Sequence, residues 1–108
     1  FSQSSSARYI KESYYAPDGS AWYRLYSDGW CEQGGIIAIN NYTTTVKLPK
    51  PFINKTYCCL VTISVFHAGG YGYDYILANS KTTTDFKLIL GSRNYAERTW
   101  YACGIAAI

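Results

Sequence analysis

Eleven consecutive residues, Thr56 to Phe66, alternate so regularly that an extended chain is the natural way to accommodate them. In such a strand Tyr57, Cys59, Val61, Ile63 and Val65 share one face, and Cys58, Leu60, Thr62, Ser64 and Phe66 share the other. The first set must face a core. The second is mixed and not uniformly polar, which favours cover by another sheet or another subunit.

The same period recurs along the chain. Ile10 to Tyr15 is β-compatible, and Pro17-Asp18-Gly19-Ser20 supplies a turn in which Pro presets φ and Gly accepts a positive one. Trp22 to Tyr26 forms the second arm of a hairpin, and Ser27-Asp28-Gly29 the next turn before Trp30-Cys31-Glu32-Gln33. Gly34-Gly35 is read as a bend, followed by a short apolar run, Ile36 to Ile39. Thr43 to Leu48 is a strand closed by Pro49 and Pro51. Tyr75 to Ala78 and Thr82 to Leu90 are further strands, the latter with Phe86, Leu88 and Leu90 on one face, and Trp100 to Ile105 is the last. No segment repeats at 3.6 residues. The expected architecture is therefore all-β, an antiparallel β-sandwich of roughly seven to nine strands.

With 108 residues there is room for one core, and a content of 48% hydrophobic and 16% charged residues fits a folded domain. The segment 1–8 is Ser-rich and reads as a linker or the end of a shaft, leaving 9–108 as the domain. The absence of methionine and a start at Phe1 point to a piece of a longer polypeptide. The net charge of +3 is dispersed over several elements and does not form a track for nucleic acid. No apolar run reaches the ~18 residues of a membrane span, so membrane insertion is not expected. Cys31, Cys58, Cys59 and Cys103 contain no CxxC pair and are read as free thiols packed as small hydrophobes.

Catalytic patterns are absent. His67 is the only histidine and no nucleophile motif accompanies it. A glycosidase would need two carboxylates roughly 5 to 9.5 Å apart, whereas Asp18 and Asp28 fall in turns and Asp85 in the polar phase of a strand. The chain is expected to be no enzyme, with no metal and no cofactor.

Trp22-Tyr23-Arg24-Leu25-Tyr26-Ser27-Asp28-Gly29-Trp30-Cys31-Glu32-Gln33-Gly34-Gly35 closely resembles the C-terminal domains of bacteriophage tail-fibre proteins, whose signature is an aromatic strand followed by Ser-x-Gly-Trp-x-Glu-Gln-Gly-Gly. Thr45-Val46-Lys47-Leu48-Pro49-Lys50-Pro51-Phe52 is similar to the family's Leu-Pro-x-Pro-Phe strand exit, Tyr57 to Val65 to its central strand, and Trp100-Tyr101-Ala102-Cys103-Gly104 to its closing strand. The resemblance covers about Tyr14 to Ile108. It implies a β-sandwich tip domain, assembled as a homotrimer on the virion after folding in the bacterial cytoplasm, that attaches to the host. The partner would be a bacterial surface glycan or an outer-membrane protein. A structural trimerisation cap and a polysaccharide-degrading tip are the alternatives.

The resemblance carries no ligand residues, so these are sought from chemistry. Tyrosine is over-represented, at twelve of 108 residues, and Gly69-Gly70-Tyr71-Gly72-Tyr73-Asp74-Tyr75 interleaves three such rings with glycines and one acid. Flat rings stack on sugar faces at low entropic cost while Asp74 accepts hydroxyl hydrogen bonds. Tyr71, Tyr73, Asp74 and Tyr75, with His67, Arg93 and Tyr95 as neighbours, are the candidate receptor-binding residues; the same rings would equally serve a subunit interface. Trp22, Trp30, Glu32, Gln33, Gly34, Gly35 and Trp100 are assigned to folding and assembly: Trp22 and Trp30 to core or seam, Glu32 and Gln33 to backbone groups at the Gly34-Gly35 bend.

Overall fold

A computed structural model of the chain describes residues 7–38, 42–65, 75–77, 79–90 and 97–107. Eight strands are present among them: β1 (Ile10–Tyr15), β2 (Ala21–Tyr26), β3 (Trp30–Ala38), β4 (Thr43–Lys47), β5 (Cys58–Val65), β6 (Tyr75–Ile76), β7 (Asp85–Ile89) and β8 (Glu97–Ile105). They form a five-stranded sheet in the order β1-β2-β3-β8-β5 and a three-stranded sheet in the order β4-β7-β6. Every pairing is antiparallel, and no helix occurs among the described residues.

The first two turns follow from their sequence. Gly19 and Gly29 adopt φ of 75° and 93°, a region that side chains disfavour, and each donates its N–H to a carbonyl three residues back, that of Ala16 at 2.9 Å and that of Tyr26 at 3.0 Å. The preceding aspartates finish the turns: Asp18 accepts from the Ser20 N–H at 3.0 Å and Asp28 from the Trp30 N–H at 3.1 Å. Of the expected linker, residues 1–6 lie outside the described residues; Arg8 binds the Asp28 carboxylate at 2.9 Å.

The core lies between the sheets. Leu25, Cys31, Trp100 and Ala102 point inward from the larger sheet, Val46, Phe86 and Leu88 from the smaller, and Leu48, Phe52, Tyr57 and Leu90 fill the margins. The edge of Phe86 meets Trp100 across the gap, with ring centroids 6.1 Å apart and planes at 72°. Burying a side chain such as Phe86 or Leu88 contributes about 1.5 to 3 kcal/mol. On β5, Cys59 and Val61 pack on this core as the alternation requires, while Cys58 and Leu60 face outward and are exposed.

Three expectations are corrected. Gly34-Gly35 is no bend: β3 runs straight through it, in unbroken register with β2 and β8. The glycines are there for space, since a Cβ on Gly35 would collide with the Ser20 carbonyl and one on Gly34 would stand 2.7 Å from the Trp100 carbonyl oxygen. The strand expected from Thr82 begins instead at Asp85, because the Thr82 hydroxyl accepts the N–H groups of Thr84 and Asp85 at 3.1 and 3.0 Å and turns the chain. Of the strand expected over 75–78, Tyr75–Ile76 form β6 and Leu77 lies outside it, while Ala78 lies outside the described residues.

Candidate functional site

Register brings the strand ends that flank the expected binding segments to one place. In the larger sheet Ala38, Glu97 and Val65 are neighbours, Glu97 pairing with both of the others. In the smaller sheet Ile89 pairs with both Thr43 and Tyr75. The four residues between Ala38 and Thr43 span at most about 18 Å, so the two rows occupy the same end of the sandwich. The attachment points of 39–41, 66–74 and 91–96 therefore share that end. His67, Tyr71, Tyr73, Asp74, Arg93 and Tyr95 lie outside the described residues. Tyr75 is placed: its ring is exposed, and its backbone belongs to β6.

Beneath this end stands a residue that sequence reasoning missed. Arg98 is fully buried, on the same face of β8 as Trp100 and Ala102, and its Nη1 donates to the Glu97 carbonyl at 3.2 Å. The alternation along β8 that sets Trp100 and Ala102 inward sets Arg98 inward too, and strand phase is the signal the sequence offers for it.

A second cluster occupies the outer face of the larger sheet. Trp22, Arg24 and Tyr26 on β2, Glu32 on β3 and Tyr101 on β8 alternate with the inward Leu25, Cys31, Trp100 and Ala102. Glu32 is its centre, accepting from the hydroxyls of Tyr26 at 2.9 Å and Tyr101 at 3.0 Å, with Arg24 at 3.6 Å. Arg24 also lies over the Trp22 ring at 4.8 Å, and Trp22 approaches Tyr101 at 6.2 Å between centroids. The hydrogen bond from Tyr26 holds the Glu32 carboxyl below its ordinary value, with Tyr101 and Arg24 adding to it and burial opposing. Burial, then the bond to Glu32, pushes the Tyr101 hydroxyl up. The result is a fixed carboxylate framed by aromatic rings, able to take hydroxyl or cationic groups.

A cavity of about 330 Å³ adjoins β6, lined by Lys55, Ile76, Leu77, Asn79 and Lys81. Lys81 donates to the Tyr57 carbonyl at 2.7 Å, which fixes one ammonium at its wall, and Asn79 adopts a φ of 63°. Two lysines and an amide suit anionic or hydroxylated groups. Among the described residues no three His, Cys, Asp or Glu side chains gather as a metal-binding group.

The motif residues separate by role. Trp100 is core, whereas Trp22 and Trp30, expected in the core or a seam, are only half-buried and belong to the outer face. Gln33 does satisfy backbone groups, though not at a glycine bend: it is fully buried and takes both backbone groups of Lys50, seventeen residues away. Glu32 takes side-chain hydroxyls instead of backbone groups.

No protein-family profile matches the sequence, and no curated protein is similar enough to count as a match. Solved structures do share the fold. An N-truncated R2-type pyocin tail fibre superposes with a TM-score of 0.62 at 20% identity, over 89% of this chain and 39% of that one. A C-terminal fragment of the P. aeruginosa R2 pyocin fibre gives a TM-score of 0.66 at 20% identity, over 86% of this chain and 26% of that one. The chain thus spans well under half the length of each. What it shares with them is an all-β, tail-fibre-like fold.

Proposed function

We propose that this chain is a host-attachment module of a phage-type tail fibre, a binding domain and not an enzyme. The observation that carries the reading is the convergence of Ala38, Val65, Glu97, Thr43, Ile89 and Tyr75, which puts the attachment points of 66–74 and 91–96 at one end of a rigid sandwich. The tyrosine-rich composition of the segments attached there suits stacking on a bacterial surface glycan or on an outer-membrane protein. The fold shared with R2 pyocin tail fibres supports a place on a virion-type tail, and presentation of several copies per particle would multiply a weak affinity. Asp18, Asp28, Glu12, Glu32 and Asp85 all hold structural bonds, which favours binding over acid–base chemistry.

A second reading makes the domain an assembly cap. It is favoured by the outer face of the larger sheet, where Leu60 is 61%, Ile105 44% and Ile36 40% exposed, an apolar surface that copies of the chain in a homotrimer would cover. Fluorescently labelled domain tested on a panel of bacteria separates the two. Attachment predicts selective labelling that added envelope sugars or envelope protein reduce; a pure cap predicts self-association and no labelling on any strain. Release of oligosaccharide from host capsule or lipopolysaccharide would overturn the non-enzymatic reading.

A further inference from the structure

The register of β5 on β8 sets Cys58 directly opposite Cys103. Directly opposed residues of an antiparallel pair share a face, with Cα atoms about 4.5 to 5.5 Å apart. That lies inside the range of about 4.4 to 6.8 Å that a disulfide requires. The other two thiols are excluded by the same ladder. Cys59 stands opposite Ala102 on the core face, and Cys31 is fully buried opposite Gly104.

The pair is also reachable. Cys58 is exposed and Cys103 partly so, and both line an outward cavity of about 250 Å³ together with Trp30, Phe52 and Ile105. Burial raises the Cys103 thiol above its ordinary value, and the Cys58 thiol beside it raises it further, while a hydrogen bond with Tyr101 works in the opposite direction. Cys58, as the exposed member, meets an oxidant first.

We infer that Cys58 and Cys103 are a cross-strand dithiol that low-molecular-weight disulfides convert to an intramolecular disulfide. The Cys58 thiolate attacks one sulfur of an oxidant RSSR, giving Cys58–S–S–R and releasing RS⁻. The Cys103 thiolate then attacks the Cys58 sulfur, forming the Cys58–Cys103 bond and expelling the second RS⁻. The two protons lost by the protein thiols end on the released thiolates, so the protein is oxidised by two electrons and RSSR is reduced to two RSH. The bond staples β5 to β8, its one neighbour in the larger sheet among the described residues, and β5 is the strand that enters the segment 66–74. Oxidation would thus stiffen one support of the proposed binding end, although the dithiol itself does not depend on that reading.

The test is to equilibrate the 108-residue chain with oxidised and reduced glutathione in varied ratio, quench, and map peptides by mass spectrometry. The expected product has lost both thiol hydrogens in one Cys58–Cys103 link, with Cys31 and Cys59 still reduced. Its unfolding midpoint should rise by several degrees and return on reduction. Cys103→Ser should retain one glutathione on Cys58, and neither Cys103→Ser nor Cys58→Ser should show the redox-dependent rise. Glutathione on both cysteines without a link, a Cys58–Cys58 bond between chains, or no reaction across the whole ratio range would each overturn the inference.

Discussion

The Gln33 side-chain amide pairs with both backbone groups of Lys50: its Nε2 donates to the Lys50 carbonyl at 2.7 Å, and its Oε1 accepts the Lys50 N–H at 3.0 Å. Gln33 is fully buried, so this one side chain acts as a missing strand would, joining β3 to the Leu48-Pro49-Lys50-Pro51-Phe52 crossing between sheets. The segment is otherwise poor in donors, since Pro49 and Pro51 have no N–H. The Lys50 side chain adds to the junction by reaching Glu12 at 3.3 Å and lying over the Tyr23 ring at 5.5 Å. Gln33→Leu should leave both backbone groups unpaired and cost roughly 2 to 4 kcal/mol. Gln33→Glu should also destabilise, because an ionised carboxylate cannot donate to the Lys50 carbonyl. Urea unfolding measures both; a loss for Gln33→Leu within the error of the wild type would contradict the arrangement.

The two glycines of β3 make a second prediction. Gly35→Ala drives a methyl into the Ser20 carbonyl and should cost roughly 3 kcal/mol, because the obstacle is backbone on both sides. Gly34→Ala meets the Trp22 ring at 3.0 Å as well as the Trp100 carbonyl, so it should also shift the tryptophan emission. Gly19→Ala, by contrast, meets no atom and is penalised by its positive φ alone. Thermal unfolding of the three variants should rank Gly35→Ala lowest.

Glu32 makes stability depend on pH. Its carboxyl sits below the ordinary value of 4.5 in the folded chain, so its contribution is complete above 4.5 and lost as pH falls through the folded value. Glu32→Gln should flatten the acid limb of the stability curve relative to the wild type, leaving the part due to Glu12, Asp18 and Asp28, whose carboxyls are lowered too. Tyr26 and Tyr101 give the opposite limb. Their hydroxyls are raised above the ordinary 10.0, so their contribution is complete below 10.0 and is lost as pH rises toward the folded values. Denaturant titrations from acid to alkaline pH check both signs.

Leu60 tests the outer face. At 61% exposure its replacement by Asp should change the stability of the single chain by less than about 0.5 kcal/mol. If copies of the chain meet through this face, Leu60→Asp should lower the sedimentation coefficient of the assembly to that of a monomer. An assembly that survives Leu60→Asp and Ile105→Lys together would place self-association elsewhere.

Much of this fold is legible in the sequence because β periodicity is simple. Phe86, Leu88 and Leu90 alternate and are all buried, and Cys58 and Cys59 take opposite faces for the same reason. Gly34-Gly35 misled because glycine signals a bend and close packing with the same letter, and only the Ser20 carbonyl opposite distinguishes them. The Gln33 bond to Lys50 was hidden for another reason. It links two motifs that were each recognisable, but nothing local in either names its partner. Arg98 lies ahead of the last strand as read from Trp100, whereas β8 begins at Glu97, and strand phase there puts a charged residue inside. The Glu32 cluster likewise needed the β3–β8 pairing, which brings Tyr101 beside a carboxylate 69 residues away.

The central claim, that the tyrosines of the segment between Val65 and Tyr75 bind a cell surface, is tested most directly by the double substitution Tyr71→Ala, Tyr73→Ala. Labelling of a susceptible strain should fall at least about tenfold, the loss of some 1.4 kcal/mol of binding, while the thermal unfolding midpoint stays at that of the wild type. Undiminished labelling by a double variant with an unchanged midpoint would contradict the account.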